Sequence, residues 1–395
     1  MIVAQVFFNI LIFLIILSIL VFVHEMGHFL AARSLGVGVE VFSLGFGRTL
    51  WSRKKNGTEY RMSALPFGGY VKMTGEDPTS EVSVESLSVS FALKPVWARM
   101  IIVVAGPFSN FIMAVLVFFF FFMARGVPVS TSVIGDVMPD SPAFHAGLLP
   151  EDRIVSINGE KITAWEEISP LVQKTGQGPV SVVVSRKPPV TTPPFAGLLG
   201  AAPHHFRRTI EKGPLREVAL SISPRKTQGQ NEYGEKKSRY TIGIGPGPSL
   251  MVPGGPVAAI REAVGQTYTV CYLTVGTVAR IFKGTVSARE TIGGPITMAR
   301  TTGAITKNMD SDLVRTLWTL FSFLGLLSAS LGIINLFPIP VLDGGHLLFF
   351  VLEAVFRRPV SLRIRELSTQ AGMVFLIAIM IFFVVNDVIR WITGL

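Results

Sequence analysis

The sequence predicts an α-helical polytopic membrane protein of four transmembrane helices, with a β-rich extracytoplasmic domain inserted between spans and a cytoplasmic, membrane-associated β-hairpin region. Three observations carry that prediction. The 395 residues have a mean hydropathy of +0.51; four uncharged runs approach or exceed the roughly 20 residues that a helix needs to cross a bilayer; and the segment 125–312 between the second and third runs is long enough to fold by itself. With 49% apolar and only 16% charged residues, the chain is too oily for an ordinary soluble enzyme. Its net charge of +10 is spread over loops without an aromatic-interleaved basic stripe, so no nucleic-acid partner is expected. A single cysteine, Cys271, excludes an internal disulfide and a Cys-rich zinc site.

The uncharged runs are 1–23, 100–124, 316–342 and 367–386. The first lacks a basic leader and continues straight into His24 and Glu25, so it reads as a retained span and not as a cleaved signal peptide. On this reading the chain divides into 1–33 (first span), 34–98 (hairpin region), 99–124 (second span), 125–227 (extracytoplasmic domain), 228–312 (connector and surface helix), 313–346 (third span with a broken helix), 347–370 (cytoplasmic loop) and 371–395 (fourth span). Arg33, Arg48, Arg53, Lys54, Lys55 and Arg61 follow the first span, and Arg357, Arg358, Arg363 and Arg365 precede the last. Both loops are therefore expected in the cytoplasm, with both termini and the long segment outside.

At the end of the first run, His24-Glu25-Met26-Gly27-His28 matches HExxH. On a helix the i, i+4 spacing puts both imidazoles on one face, where they can share a metal ion, and Glu25 lies about 100° round, within reach of a water without being a ligand. Ionisable groups in a span are costly and point to function. Two histidines leave a catalytic metal short of a ligand. The other misplaced acid is Asp343 in NLFPIPVLDGGH, 335–346. Pro338 and Pro340 break the helix there and Gly344-Gly345 allow a tight turn; Asp343 can also cap the following helix. His346 is a rival third ligand, or a group that orients one from behind; Asp343 is favoured.

HExxH in span 1 with NxxPxPxxDG after span 3 resembles the site-2 protease family of intramembrane zinc metalloproteases, close to the bacterial regulator of sigma-E protease. The likeness extends to GFG at 45–47, PFGGYVKM at 66–73, AGPFSN at 105–110 and GGPITMA at 293–299. It implies that His24, His28 and Asp343 hold Zn2+, that Glu25 is the catalytic acid/base, and that the substrate is a single-span membrane protein. Anti-sigma factors already cut outside the membrane, or signal-peptide remnants, are the substrates this likeness suggests. It also implies that Asn335, Pro338 and Pro340, with Gly45, Gly47, Gly68 and Gly69, bind an unwound substrate, the hairpin pairing with it as an added strand. The hairpin is expected over 48–64 with its turn at Asn56-Gly57, a favoured type I′ pair. The implied location is the bacterial inner membrane, with the inserted domain periplasmic.

Within 131–187, short β-rich runs alternate with turn residues, and one helix is expected near 164–175. SPAFHAGLLPEDRIVSINGEKI looks like a bacterial PDZ domain, whose groove takes a peptide or chain end. His145 reads as a surface residue. VSVVVSR, 180–186, should pair with LREVALSISPR, 215–225, across a flexible insertion at 188–214 that contains His204-His205. Residues 224–250 read as a polar connector, and 256–284 as an amphipathic helix on the membrane surface or against the spans. The competing function is a non-catalytic PDZ membrane scaffold with a structural zinc; an open metal position speaks against it. A metal transporter would need polar residues through several spans, which the second and fourth do not offer beyond Ser109 and Asn110.

Overall fold

An uncharged run with no internal proline or glycine has every reason to close its own backbone hydrogen bonds in an apolar medium. In the computed structural model, α1 runs over Ile2–Ser34 and carries the HExxH motif inside the helix, ending where Gly36 adopts φ +68°. The structure describes residues 2–76, 84–186, 216–230, 236–287, 294–307 and 312–393. It forms two units, Met1–Gly126 with Pro253–Leu395, and Val127–Val252.

In the first unit, strands β1 (Val39–Lys55) and β2 (Thr58–Met73) form the hairpin, with Asn56 and Gly57 at φ 52° and 81° in its turn. Both strands are longer than expected and both fold back. Val41–Leu44 is matched on one side with Gly69–Lys72 and on the other with Glu59–Met62, while 51–55 pairs with 58–62. The reversals fall at Gly45 and Gly47, each at φ +84°, and around Gly68 at φ +119°, backbone conformations that side chains disfavour. The stretch 69–73 is thus an edge of this small sheet.

Helix α2 (Val96–Arg125) is the centre of the unit. Ala98, Ile102, Gly106, Asn110, Ala114 and Phe118, spaced by four, are all buried. Its neighbours are α1, α5 (Gly255–Phe282), α7 (Leu313–Asn335) and α8 (Asp343–Phe356). The expected amphipathic helix is therefore α5, lying against α2 and α7 through Ala259, Ala263, Thr267 and Val270. Helix α6 (Pro295–Thr306) lies against α1 and α9 (Leu362–Thr393). The Asp387 carboxylate accepts from the N–H groups of Gly294, Ile296 and Thr297, capping α6. Among the described residues, four helices are long and apolar enough to cross a membrane: Phe8–Ser34, Val96–Arg125, Leu313–Asn335 and Leu362–Ile389. The stretch 347–370, read as a loop between spans, is helical on both sides of a turn at 357–361, because its apolar residues continue α8 beyond Asp343.

The second unit is β-rich. A four-stranded antiparallel sheet has the order β6 (Glu160–Lys161), β5 (Arg153–Ile157), β7 (Val180–Arg186), β8 (Arg216–Ile222), with Val180 opposite Ile222. Ile154, Ile157, Val180, Val182, Val184 and Ile222 fill the core with Ile134 and Leu148. The short helix α3 (Pro142–His145) is capped by the Ser141 hydroxyl, and α4 (Ile168–Thr175) is the helix expected near 164–175. Exposed His145 pairs with Asp140 at 2.8 Å, which holds the Asp140 carboxyl below the usual carboxylate range. Among the described residues, three further antiparallel pairs belong to the unit: β3 (Val127–Val129) with β12 (Leu250–Val252), β4 (Ile134–Val137) with β11 (Ile244–Pro246), and β9 (Arg225–Gln230) with β10 (Lys236–Thr241). The connector expected at 224–250 therefore contributes strands; its glycines and prolines punctuate short strands, of which β11 and β12 have partners far away in sequence. The insertion expected at 188–214 lies outside the described residues.

Candidate metal centre

The helical spacing of α1 turns His24 and His28 to one face, and α2 fixes the orientation of each ring. The His28 Nδ1–H donates to the Ile102 carbonyl at 2.8 Å, which leaves Nε2 as a lone pair. Gly106 makes room for this ring: a Cβ there would overlap His28 Nε2. The two helices approach through Gly27, where a Cβ would overlap the Ala105 carbonyl, and the Ser109 hydroxyl donates to the Val23 carbonyl at 2.7 Å. His24 Nδ1 lies 3.1 Å from the amide of fully buried Asn110, whose Oδ1 has no partner among the described residues. An amide turned over has the same shape. With Oδ1 facing the ring, Asn110 accepts the Nδ1 proton, its own need is met, and His24 Nε2 is also a free lone pair.

The third group arrives from the break between α7 and α8. The carbonyls of Leu336, Phe337 and Ile339 fold so closely over Gly344 and Gly345 that a Cβ at either would overlap them. This tight crossing sets Asp343 in the first turn of α8, after Leu342, and not at the capping position itself. Asp343 Oδ2 lies 3.1 Å from His24 Nε2 and 3.5 Å from His28 Nε2, and the two ring nitrogens are 3.2 Å apart. Oδ2 is buried yet makes no hydrogen bond among the described residues. Three electron-pair donors therefore converge with no proton required between them. Ligand bonds of about 2.0–2.2 Å arranged tetrahedrally set donors roughly 3.3–3.6 Å apart, and two imidazoles with a carboxylate suit zinc, so these residues fit such an ion. Among the described residues, His24, His28 and Asp343 are the group able to hold a metal.

A cavity of ≈ 300 Å³ opens beside them, lined by Glu25, Gly69, Val71, Asn335, His346 and Arg365, among others. Glu25 lines it together with Gly69 and Val71, so the sheet edge and the acid meet at the cavity. A Cβ on Gly69 would come 3.2 Å from Glu25 Cγ, which explains why this edge passes so near α1. Asn335 reaches the cavity with its Nδ2 3.5 Å from His24 Nδ1. His346 faces the cavity but stands outside the converging trio. Pro338, Pro340, Gly45, Gly47 and Gly68 do not line the cavity; the prolines lie in the α7–α8 break and the glycines shape the sheet's reversals. Sequence reasoning gave no role to Asn110, Gly106 or Ile102. The usable signal was Asn110, the strongest hydrogen-bonding side chain in an uncharged span.

The profile of peptidase family M50 matches residues 12–379. "Putative zinc metalloprotease Cj1068" of Campylobacter jejuni is 34% identical over 383 residues, 95% of this chain and 92% of the relative. R01501 of Rhizobium meliloti, of the same description, is 32% identical over 97% of this chain and 96% of its own length. "Metalloprotease MmpA" of Caulobacter vibrioides is 30% identical over 96% of this chain and 94% of its own.

Proposed function

The chain belongs to peptidase family M50, and from that premise we propose that it is an intramembrane zinc endopeptidase that cuts single-span membrane proteins. The observation that carries this reading is the buried Oδ2 of Asp343, without a hydrogen bond among the described residues, facing two histidine lone pairs in a cavity that Glu25 also lines. His24, His28 and Asp343 hold the ion; when bound, zinc supplies a Lewis acid that acidifies water and steadies negative charge on a carbonyl oxygen. Glu25 takes the proton from the attacking water on its carboxylate and gives it to the departing amide nitrogen, restoring itself as the peptide bond breaks. Asn110 and the Ile102 carbonyl keep both rings in the ligating tautomer.

A helical substrate has its carbonyls bonded internally, so it must be extended before attack. The edge 69–73 receives it: Gly69, Val71 and Met73 line the same cavity as Glu25, and strand addition there brings a peptide carbonyl past the acid. Asn335, at the cavity wall, is suited to hold the same extended chain. The arginines after α1 and before α9 favour a cytoplasmic side for this cavity, with the PDZ-like unit and both termini on the outer side of a bacterial inner membrane. The PDZ-like unit receives a peptide or chain end, and trimmed anti-sigma-like proteins are the substrate class that fits a two-part enzyme of this kind.

The test is Glu25→Gln, which keeps the ligands and removes the proton carrier. Zinc content should be unchanged while cleavage of a model single-span substrate falls by about 10²–10⁴-fold. Undiminished cleavage would displace Glu25 and the mechanism with it.

A further inference from the structure

In the second unit, a side chain occupies the outer edge of β10. The Tyr240 N–H donates to Gln173 Oε1 at 3.1 Å, and Gln173 Nε2 donates to the Tyr240 carbonyl at 2.6 Å. In an antiparallel ladder, a residue of the next strand makes this same pair of bonds with the residue opposite. Here one carboxamide from α4 makes both. Since both main-chain groups of Tyr240 turn toward Gln173, Ser238 two residues earlier presents its own pair on the same side, while Arg239 turns toward Thr227 of β9. The edge is built to accept a strand, and one rung is filled from within the chain.

The two strands β9 and β10 are also one-sided in charge, the acids Glu232 and Glu235 falling in the sequence between them. Arg225, Lys226 and Arg239 are exposed on them, and neither strand carries an acid. Asp140, which faces Arg225, is already paired with His145. Gln173 itself is exposed, and a hydrogen bond that competes with water contributes little net stability. An incoming strand offers the same two bonds, those of Ser238 besides, and charge to match the hairpin.

We propose that the outer edge of β10 takes an extended acidic peptide as an added strand, and that Gln173 is the latch that keeps this edge shut until such a strand displaces it. The inference rests on the reading of this unit as a peptide-receiving module and says where, what and under whose control. The full chain in detergent micelles is titrated with a fluorescein-labelled peptide of alternating Glu and Val, and with its Lys counterpart, alongside amide exchange. Gln173→Ala should bind the acidic peptide about fivefold more tightly than wild type. Ser238→Pro, which removes an outward N–H from an edge that tolerates proline, should bind it more weakly. Exchange should slow at Ser238 and Tyr240 on binding. Equal affinity for wild type and Gln173→Ala overturns the latch, and equal affinity for the Lys peptide overturns the acidic partner. Binding with protection elsewhere in the unit overturns this edge while the peptide-receiving reading stands; no binding by any variant overturns both.

Discussion

Two aspartates that each keep an oxygen out of water, Asp152 in the second unit and Asp343 in the first, have opposite surroundings. Asp152 is 1% exposed and fully met: Arg186 donates to its two oxygens at 2.7 and 2.6 Å, and the Leu149 N–H donates at 2.9 Å. Asp343 keeps a buried oxygen that nothing among the described residues bonds, although two ring nitrogens lie within 3.5 Å. Leaving a carboxylate unmet is expensive, and a chain able to complete one with an arginine could have completed the other. The difference separates two uses of one residue type. Asp152 is closed by the fold, tying the β5 end to β7; Asp343 is left for something the chain does not contain.

The comparison breaks first at Asp343→Ala. Metal content by elemental analysis should fall from about one equivalent to near zero, and substrate cleavage by about 10³-fold or more, since three protein ligands are the usual minimum for a catalytic zinc. Retention of metal would make the unbonded oxygen incidental. The opposite half is tested by Asp152→Ala, which strands the partly buried Arg186 and should cost the second unit about 3 kcal/mol, read as faster amide exchange in β5 and β7 with metal content unchanged. Asn110→Ala sharpens the picture by removing the group that fixes the His24 tautomer, with metal affinity expected to fall about 10–100-fold by competition against a chelator. The smallest effect is expected from His346→Ala, about tenfold or less in the same assay, because it lines the cavity without joining the trio. If His346→Ala loses more metal than Asp343→Ala, the two residues exchange roles.

Half of the site is local, and that half was legible. Two histidines four residues apart on a helix need no tertiary knowledge to be placed on one face. Asp343 was legible for a different reason: an acid directly after a long uncharged run has few reasons to be there. Asn110, Gly106 and Ile102 were not, because their roles exist only where α2 crosses α1. A helix that is apolar all round gives no periodic sign of which face it buries. The strands between 225 and 252 were hidden by the same kind of cause: they are short, polar and broken by Gly and Pro, and β11 and β12 pair with residues more than a hundred positions earlier. The hairpin turn at Asn56-Gly57 was readable, and so was a folding back of ALPFGGYVKM, whereas the reversal of β1 was not; it depends on a close approach at Gly45 that only packing reveals.

The short ladder between β3 and β12 has a consequence of a different kind. Val127 stands opposite Val252, so the polypeptide comes into the second unit and goes out of it one strand spacing apart, about 5 Å. Such a module is an insertion with a single doorway: α2 ends at Arg125 and α5 begins at Gly255, and whatever is built between them imposes no span on the rest. In evolutionary terms the helical unit and the β-rich unit are free to change at separate rates, and a designer could exchange one by splicing at this doorway without redrawing the other.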